Sequence, residues 1–223
     1  MPVIAVMQVG LPAGRRAHVA RRRRRSVRYI VRAGGGPVLD GLMPDPTKRL
    51  QDTTLPVRLI VFCGRPGTGK TTLATAVARA LPACYLRVDA AETALKRTGM
   101  AVGTEGYAVV HELAVSNLQL GHDVVVDAAN PVPQSRAGWS EATARARAQL
   151  LMVETLLPDV KEHRRRVEQR SADIPGHLVP TWEQIVNSEW TPWVEERDGQ
   201  RLQIDSTHAD TALARILQAL RVD

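Results

Sequence analysis

Aromatic residues are scarce in this chain, with one Phe, three Tyr and four Trp in 223 residues. A stretch that gathers several of them therefore asks for a reason. Cysteine is scarcer still. Cys63 and Cys84 each fall inside a predicted strand, where a thiol is usually a small buried hydrophobe, and nothing asks for a disulfide or a metal site. No apolar run approaches the roughly 18 residues of a membrane span, so none is expected. The six histidines show no ligand spacing such as H-E-x-x-H.

Basic residues are plentiful, but only at one end. Residues 1–50 hold 11 Lys+Arg against 2 Asp+Glu, while the remainder holds 19 against 21. The formal net charge of +7 therefore belongs to a leader, and the rest is slightly acidic. A nucleic-acid track normally clusters Lys and Arg, so nucleic acid is not expected as a partner except through that leader. The leader runs from an apolar start, Met1 to Leu11, through Arg15 and Arg16 to the run Arg21 to Arg25. A secretory signal has the opposite order, charge before the apolar region, and a twin-Arg signal needs an apolar stretch that is missing here. Gly34-Gly35-Gly36-Pro37 and Met43-Pro44-Asp45-Pro46 then break the chain without periodicity. Residues 1–50 are expected to be a disordered or non-native arm, with Met43 as an alternative start. A phosphate-binding basic tail is the other reading. Residues 51–223 are expected to form one domain, placed in the cytoplasm; the oligomeric state stays open.

That domain is organised around Val57 to Ala80, VRLIVFCGRPGTGKTTLATAVARA. The apolar run Leu59 to Cys63 stops at Gly64. Gly64, Arg65, Pro66, Gly67, Thr68, Gly69, Lys70 and Thr71, with Thr72 following, then lead into an Ala-rich helical stretch. This is G-x-x-x-x-G-K-[ST] between a strand and a helix, the context that gives the pattern its meaning. The glycines let successive backbone N–H groups curl around a phosphate chain, and the helix adds its positive N-terminal end. Lys70 would reach the terminal phosphates and the Thr71 hydroxyl would ligate Mg²⁺. The expected ligand is ATP with Mg²⁺.

Strand and helix signals then alternate. Strands are expected at Cys84 to Val88, Asp123 to Asp127, Leu150 to Leu157 and Leu202 to Asp205. Helices are expected at Ala91 to Arg97, Glu105 to Leu120, Pro133 to Ala148, Asp159 to Arg170, Trp182 to Glu189 and Asp210 to Leu220. In the Glu105 helix, Val109, Leu113 and Leu120 mark a plausible buried face. Five strands alternating with helices predict an open parallel α/β sheet, with ligands at the carboxyl ends of its strands.

Asp127 ends the strand VVVD and suits the acidic metal site of such a protein. Ala128 follows it, not a water-activating glutamate, and no guanine-reading N/T-K-x-D stretch is present. Both features favour phosphoryl transfer over a motor ATPase or a GTPase. Asp89, expected at the end of the second strand, would take a proton from an acceptor hydroxyl; its plainer use is to cap the following helix. Arg166 and Arg170 share a helical face that a turn earlier carries Glu162. Guanidinium groups match phosphate oxygens, so a mobile lid over about 159–193 would carry these arginines to the transferred group. The plainer reading is a solvated helix, since Arg164 and Glu168 are four apart. Trp182, Trp190 and Trp193 would either pack on the domain or cover an acceptor or a base.

The stretches GRPGTGKTTLA, LRVDAAETAL, EGYAVVHELAVSNLQLGHDVVVDAANP, EHRRRVEQRSADIP and PTWEQIV resemble the small P-loop kinases grouped as AAA-domain predicted kinases. Chloramphenicol phosphotransferase-like and gluconate-kinase-like enzymes belong among these relatives. The resemblance covers Pro56 onward. It implies a P-loop three-layer sandwich with a five-stranded parallel sheet of order 2-3-1-4-5, ATP, Mg²⁺ and an arginine-bearing lid. It implies the catalytic carboxylate role for Asp89 and the lid role for Arg164, Arg166 and Arg170, with Arg164 on the nucleotide. Asn130, Pro131 and Arg136 fall where such kinases often contact substrate. The expected activity is transfer of the γ-phosphoryl group to a small-molecule hydroxyl. A polynucleotide 5′-hydroxyl kinase and an ATPase without an acceptor are the alternatives.

Overall fold

Strand β1, Arg58–Cys63, has five of its six residues buried, which fits a run of apolar side chains with helices on both sides. A computed structural model describes residues 57–220; the expectations for residues 1–50 lie outside them. β1 is the centre of a five-stranded sheet of order β2-β3-β1-β4-β5, and all its pairings are parallel. The other strands are β2 (Cys84–Arg87), β3 (Val124–Asp127), β4 (Gln149–Leu156) and β5 (Leu202–Asp205). The helices are α1 (Lys70–Ala80), α2 (Val88–Arg97), α3 (Glu105–Gln119), α4 (Pro133–Ala146), α5 (Val160–Glu168), α6 (Trp182–Asn187), α7 (Glu195–Asp198) and α8 (Ala209–Ala219). The expected sandwich and strand order are both present.

The two-residue period of a strand divides the core. Leu59, Val61 and Cys63 face α3 and α4, where Val110, Leu118 and Trp139 fill the layer. Ile60 and Phe62 face α1 and α8 and pack with Leu73, Val77 and Ile216. Cys63 is buried, its thiol pushed up to about 12 by that burial and by Glu154, so it behaves as a hydrophobe. Among the described residues no helix is long and apolar enough to cross a membrane.

Two expectations are corrected. The buried face of α3 is Val110, Ala114, Val115 and Leu118, while Val109, Leu113 and Leu120 are exposed. Helix α2 begins at Val88, immediately after β2. Asp89 therefore lies in the first turn of a helix, neither at a strand end nor in the capping position, which Arg87 holds.

Candidate active site

Parallel pairing brings the carboxyl ends of β1, β2 and β3 to one edge, because Phe62 and Arg87 both sit in register with Asp127. Beyond β1 the glycine loop turns back sharply. Gly64 has φ +133°, and a Cβ there would stand 2.6 Å from the Thr155 carbonyl oxygen. Only glycine lets the loop pass so close to β4. The Thr68 hydroxyl donates to the Arg65 carbonyl at 2.8 Å and lies 2.7 Å from the Thr155 hydroxyl. The loop delivers the chain to Gly69, in left-handed conformation, and α1 starts at Lys70 with no side-chain cap and no acidic residue in its first turn. An uncapped helix start of this kind favours an anion.

A pocket at this point is lined by Gly67, Gly69, Lys70, Thr71, Thr72, Arg166, Arg170, Ser171 and Asp173. Lys70 donates to the Arg65 carbonyl at 3.0 Å. Burial pulls its ammonium below the ordinary lysine value, against the Asp127 and Asp89 carboxylates, which raise it. Seven of the residues singled out in the sequence thus meet around one pocket, and the Asp127 and Asp89 charges act on its lysine.

Others are placed differently. Gly64, Pro66 and Thr68 form the back of the loop. Arg65 turns outward, donating to the Ile185 carbonyl at 2.8 Å, with its guanidinium 5.0 Å from the Trp190 ring centroid. Arg164 is exposed and pairs with Glu168 at 2.7 Å, the solvated i,i+4 arrangement, and does not line the pocket. Arg166 does line it, yet its guanidinium is held by Glu162 (2.8 Å) and by the Ser206 and Thr207 carbonyls (3.1 and 3.0 Å). Asn130 and Arg136 are buried inside the fold. Asn130 accepts the Trp139 indole N–H at 2.7 Å, and Arg136 pairs with Asp198 at 2.7 Å.

The three clustered tryptophans pack. Trp182 stands edge-on to His163 at 5.1 Å, Trp190 lies against Arg65, and Trp193 lies between Arg136 and Arg201 at 4.9 and 4.8 Å. His163 is the residue that pattern reading missed here. It is buried on α5, and its Nε2–H donates to the Pro66 carbonyl at 2.7 Å, fixing α5 on the glycine loop. The segment expected as a lid thus rests on the glycine loop at α5 and, through Ile185, at α6. Gly67 confirms how close α5 comes: a Cβ would stand 2.5 Å from Val167 Cγ2, at φ +85°. Gly67→Ala should destabilise the fold by about 1–3 kcal/mol through backbone strain and displacement of α5. Urea unfolding of the variant checks this, and an unchanged midpoint would contradict the packing.

Arg87 was also missed, because a lone arginine in CYLRV reads as a solvent-facing strand residue. It is buried and meets three carboxylates: Asp173 at 2.5 Å, Asp89 at 3.3 Å and Asp127 at 3.5 Å. These neighbours, led by the Asp173 hydrogen bond, hold its guanidinium above the ordinary arginine value despite burial. Tyr85 donates its hydroxyl to Asp127 Oδ2 at 3.1 Å.

With this geometry in view, comparison with known proteins gives a consistent answer. A family model described as AAA domain matches residues 59–181, more than half of the chain. The chain belongs to the AAA-domain family. No curated protein matches its sequence significantly. Among solved structures, this AAA-domain protein is similar to a candidate kinase from Chloroflexus aurantiacus J-10-fl, at 22% identity and TM-score 0.60, covering 74% of this chain and 97% of that one. It is similar to the APS kinase of Mycobacterium tuberculosis, solved with AMPPNP and APS, at 20% identity and TM-score 0.57, covering 75% and 99%. A sugar kinase from Janibacter sp. HTCC2649 follows at 16% identity and TM-score 0.55, covering 74% and 95%. At these identities the likeness is one of fold, that of the small P-loop kinases.

Proposed function

We propose that this AAA-domain protein is an ATP-dependent phosphotransferase that moves the γ-phosphoryl group to a hydroxyl of a small molecule, in the cytoplasm. The observation that carries this reading is the convergence of Lys70, Thr71, Arg166 and Arg170 on one pocket with Asp173, which shares Arg87 with Asp127 and Asp89. Kinase neighbours of the same fold support it.

The glycine-loop N–H groups and the first turn of α1 would hold the phosphates. Lys70 would follow the transferred group, and Arg170, with Arg166 if it leaves the Ser206 and Thr207 carbonyls, would face its developing charge. The Thr71 hydroxyl and Asp127 carboxylate are hard oxygen donors of the kind Mg²⁺ takes, and they would hold it. When bound, the ion neutralises phosphate charge as the transfer proceeds. Asp89, whose side chain is 37% exposed, would orient the acceptor hydroxyl and receive its proton.

The test is ADP release by the purified full chain, with Mg²⁺-ATP, against a panel of hydroxylated metabolites, antibiotics and nucleosides. ATP turnover alone should be slow, and the correct acceptor should raise it strongly. Asp89→Asn should remove about 10²- to 10⁴-fold of the stimulated rate while nucleotide affinity stays close to wild type. Rapid acceptor-independent hydrolysis, indifferent to Asp89→Asn, would overturn the phosphotransferase reading in favour of an ATPase.

A further inference from the structure

Asp127 is the carboxylate on which a metal role rests, and its surroundings are unusual. It is buried. Its Oδ2 accepts from the Tyr85 hydroxyl at 3.1 Å and lies 3.5 Å from Arg87 Nε. Yet Arg87 Nε is buried and has no hydrogen-bond partner among the described residues. A buried charged donor beside a carboxylate would ordinarily close on it, because leaving it unmade is costly. The other edge of the same guanidinium is fully engaged. Arg87 donates from two nitrogens to the two oxygens of Asp173, at 2.5 and 3.1 Å, the two-pronged geometry that makes arginine–carboxylate pairs strong. Asp173 stands in the segment between α5 and α6 and lines the glycine-loop pocket.

We propose that Asp173 is a positioning residue: it draws Arg87 away from Asp127 and so keeps that carboxylate available to Mg²⁺, while Tyr85 fixes which oxygen stays with the protein. This rests on the phosphotransferase reading for the ligand, Mg²⁺-nucleotide, and on the geometry above for the rest. Without the Asp173 carboxylate, the Arg87 charge is shared by Asp89 and Asp127 alone. Its free Nε then closes on Asp127 and competes with the metal for it. Docking of the 169–181 segment and readiness of the metal site become one event. By reciprocity, bound Mg²⁺-nucleotide tightens the Asp173–Arg87 pair.

The measurement is ATP affinity of the full chain by calorimetry, in EDTA and in Mg²⁺, which gives a magnesium-dependent gain for each variant. Asp173→Asn is the central variant, since Asp173 is largely exposed and its loss leaves the core untouched. A charge effect alone would tighten nucleotide binding in both conditions, because a negative group leaves the pocket. The proposal instead predicts that affinity in EDTA is unchanged or tighter while the magnesium gain falls by about tenfold or more, as for lost outer partners of metal ligands. Asp173→Glu should restore most of the gain. Tyr85→Phe should lower it with little change in thermal midpoint. In an Arg87→Lys background, where the two-pronged pair cannot form, Asp173→Asn should add less than about a twofold change.

An unchanged gain in Asp173→Asn overturns the proposal, as does equal weakening with and without Mg²⁺, which marks a structural role. A wild-type protein that binds ATP with no magnesium gain overturns the metal role of Asp127 on which both readings stand. A wild type with a normal gain and no acceptor leaves Asp173 fully testable and counts against the phosphotransferase reading alone.

Discussion

Lys70→Ala is expected to lower ATP turnover by about 10²- to 10³-fold, the loss typical of removing one charged donor aimed at a transition state. Two of its cationic neighbours are already engaged elsewhere. Arg166 is tied to Glu162 and to the Ser206 and Thr207 carbonyls, and the Arg65 guanidinium is directed to Ile185 and Trp190. The same substitution should leave the thermal midpoint unchanged or raise it. Burial lowers the Lys70 pKa, which means that its charged form is disfavoured in the folded protein and is held there at a cost. Activity and stability should therefore move in opposite directions. A folded Lys70→Ala protein that turns over ATP at the wild-type rate would remove the glycine loop from the mechanism.

Arg136→Met should be the most destabilising single change considered. The Arg136 and Asp198 side chains are 2% and 1% exposed and meet at 2.7 Å. Arg136 also donates to the Asn130 and Pro131 carbonyls at 3.2 and 3.0 Å, and to the Thr191 carbonyl. Removing one partner of a buried pair costs about 3–5 kcal/mol, and the low end applies here, since Asp198 keeps Arg197 and the Val194 N–H while three carbonyls lose their donor. At roughly 2–4 °C per kcal/mol for a domain of this size, the midpoint should fall by about 10 °C. Calorimetric melting checks it, and a fall under about 2 °C would mean that the pair contributes little. Acid gives a second view. Hydrogen bonds from Arg197, the Val194 N–H and Arg136 hold the Asp198 carboxyl down to about 2. Its folded pKa is depressed, so its contribution is present above the ordinary carboxylate value and is lost as the pH falls through about 2. Asp198→Asn should flatten the stability curve between the ordinary carboxylate value and that point.

These two arginines show where sequence reading stops. The glycine loop was legible because its geometry is local: eight consecutive residues need only a strand before them and a helix after. The sheet was legible because Leu59 to Cys63 and Val124 to Val126 are buried on both faces, and such strands must be apolar throughout. Arg87 and Arg136 were not, because each is made tolerable by partners far along the chain, Asp173 and Asp198. Arg136 was expected at a substrate contact and instead locks residues 191–198 against α4. Helix α3 was misjudged by one position for a related reason. Its inner face is built partly from Gly106 and Ala114, which carry almost no hydrophobic signal but let the helix come close, while the larger Val109, Leu113 and Leu120 remain outside. For Asp89 the sequence placed the residue near the right edge but could not show that α2 follows β2 without a loop.

The strand order has a consequence for synthesis. β1 is made before either of its neighbours, for Leu59 pairs with Val124 on one side and Leu150 on the other. At about 5–20 residues per second, the apolar run waits for several seconds before its first neighbour is made, and longer for its second. β2 cannot serve in the meantime, since its only partner is β3. The nascent chain thus carries an apolar strand without a partner while roughly 65 further residues are made. It should depend on chaperones during that interval, and refolding in vitro should be slow and sensitive to protein concentration.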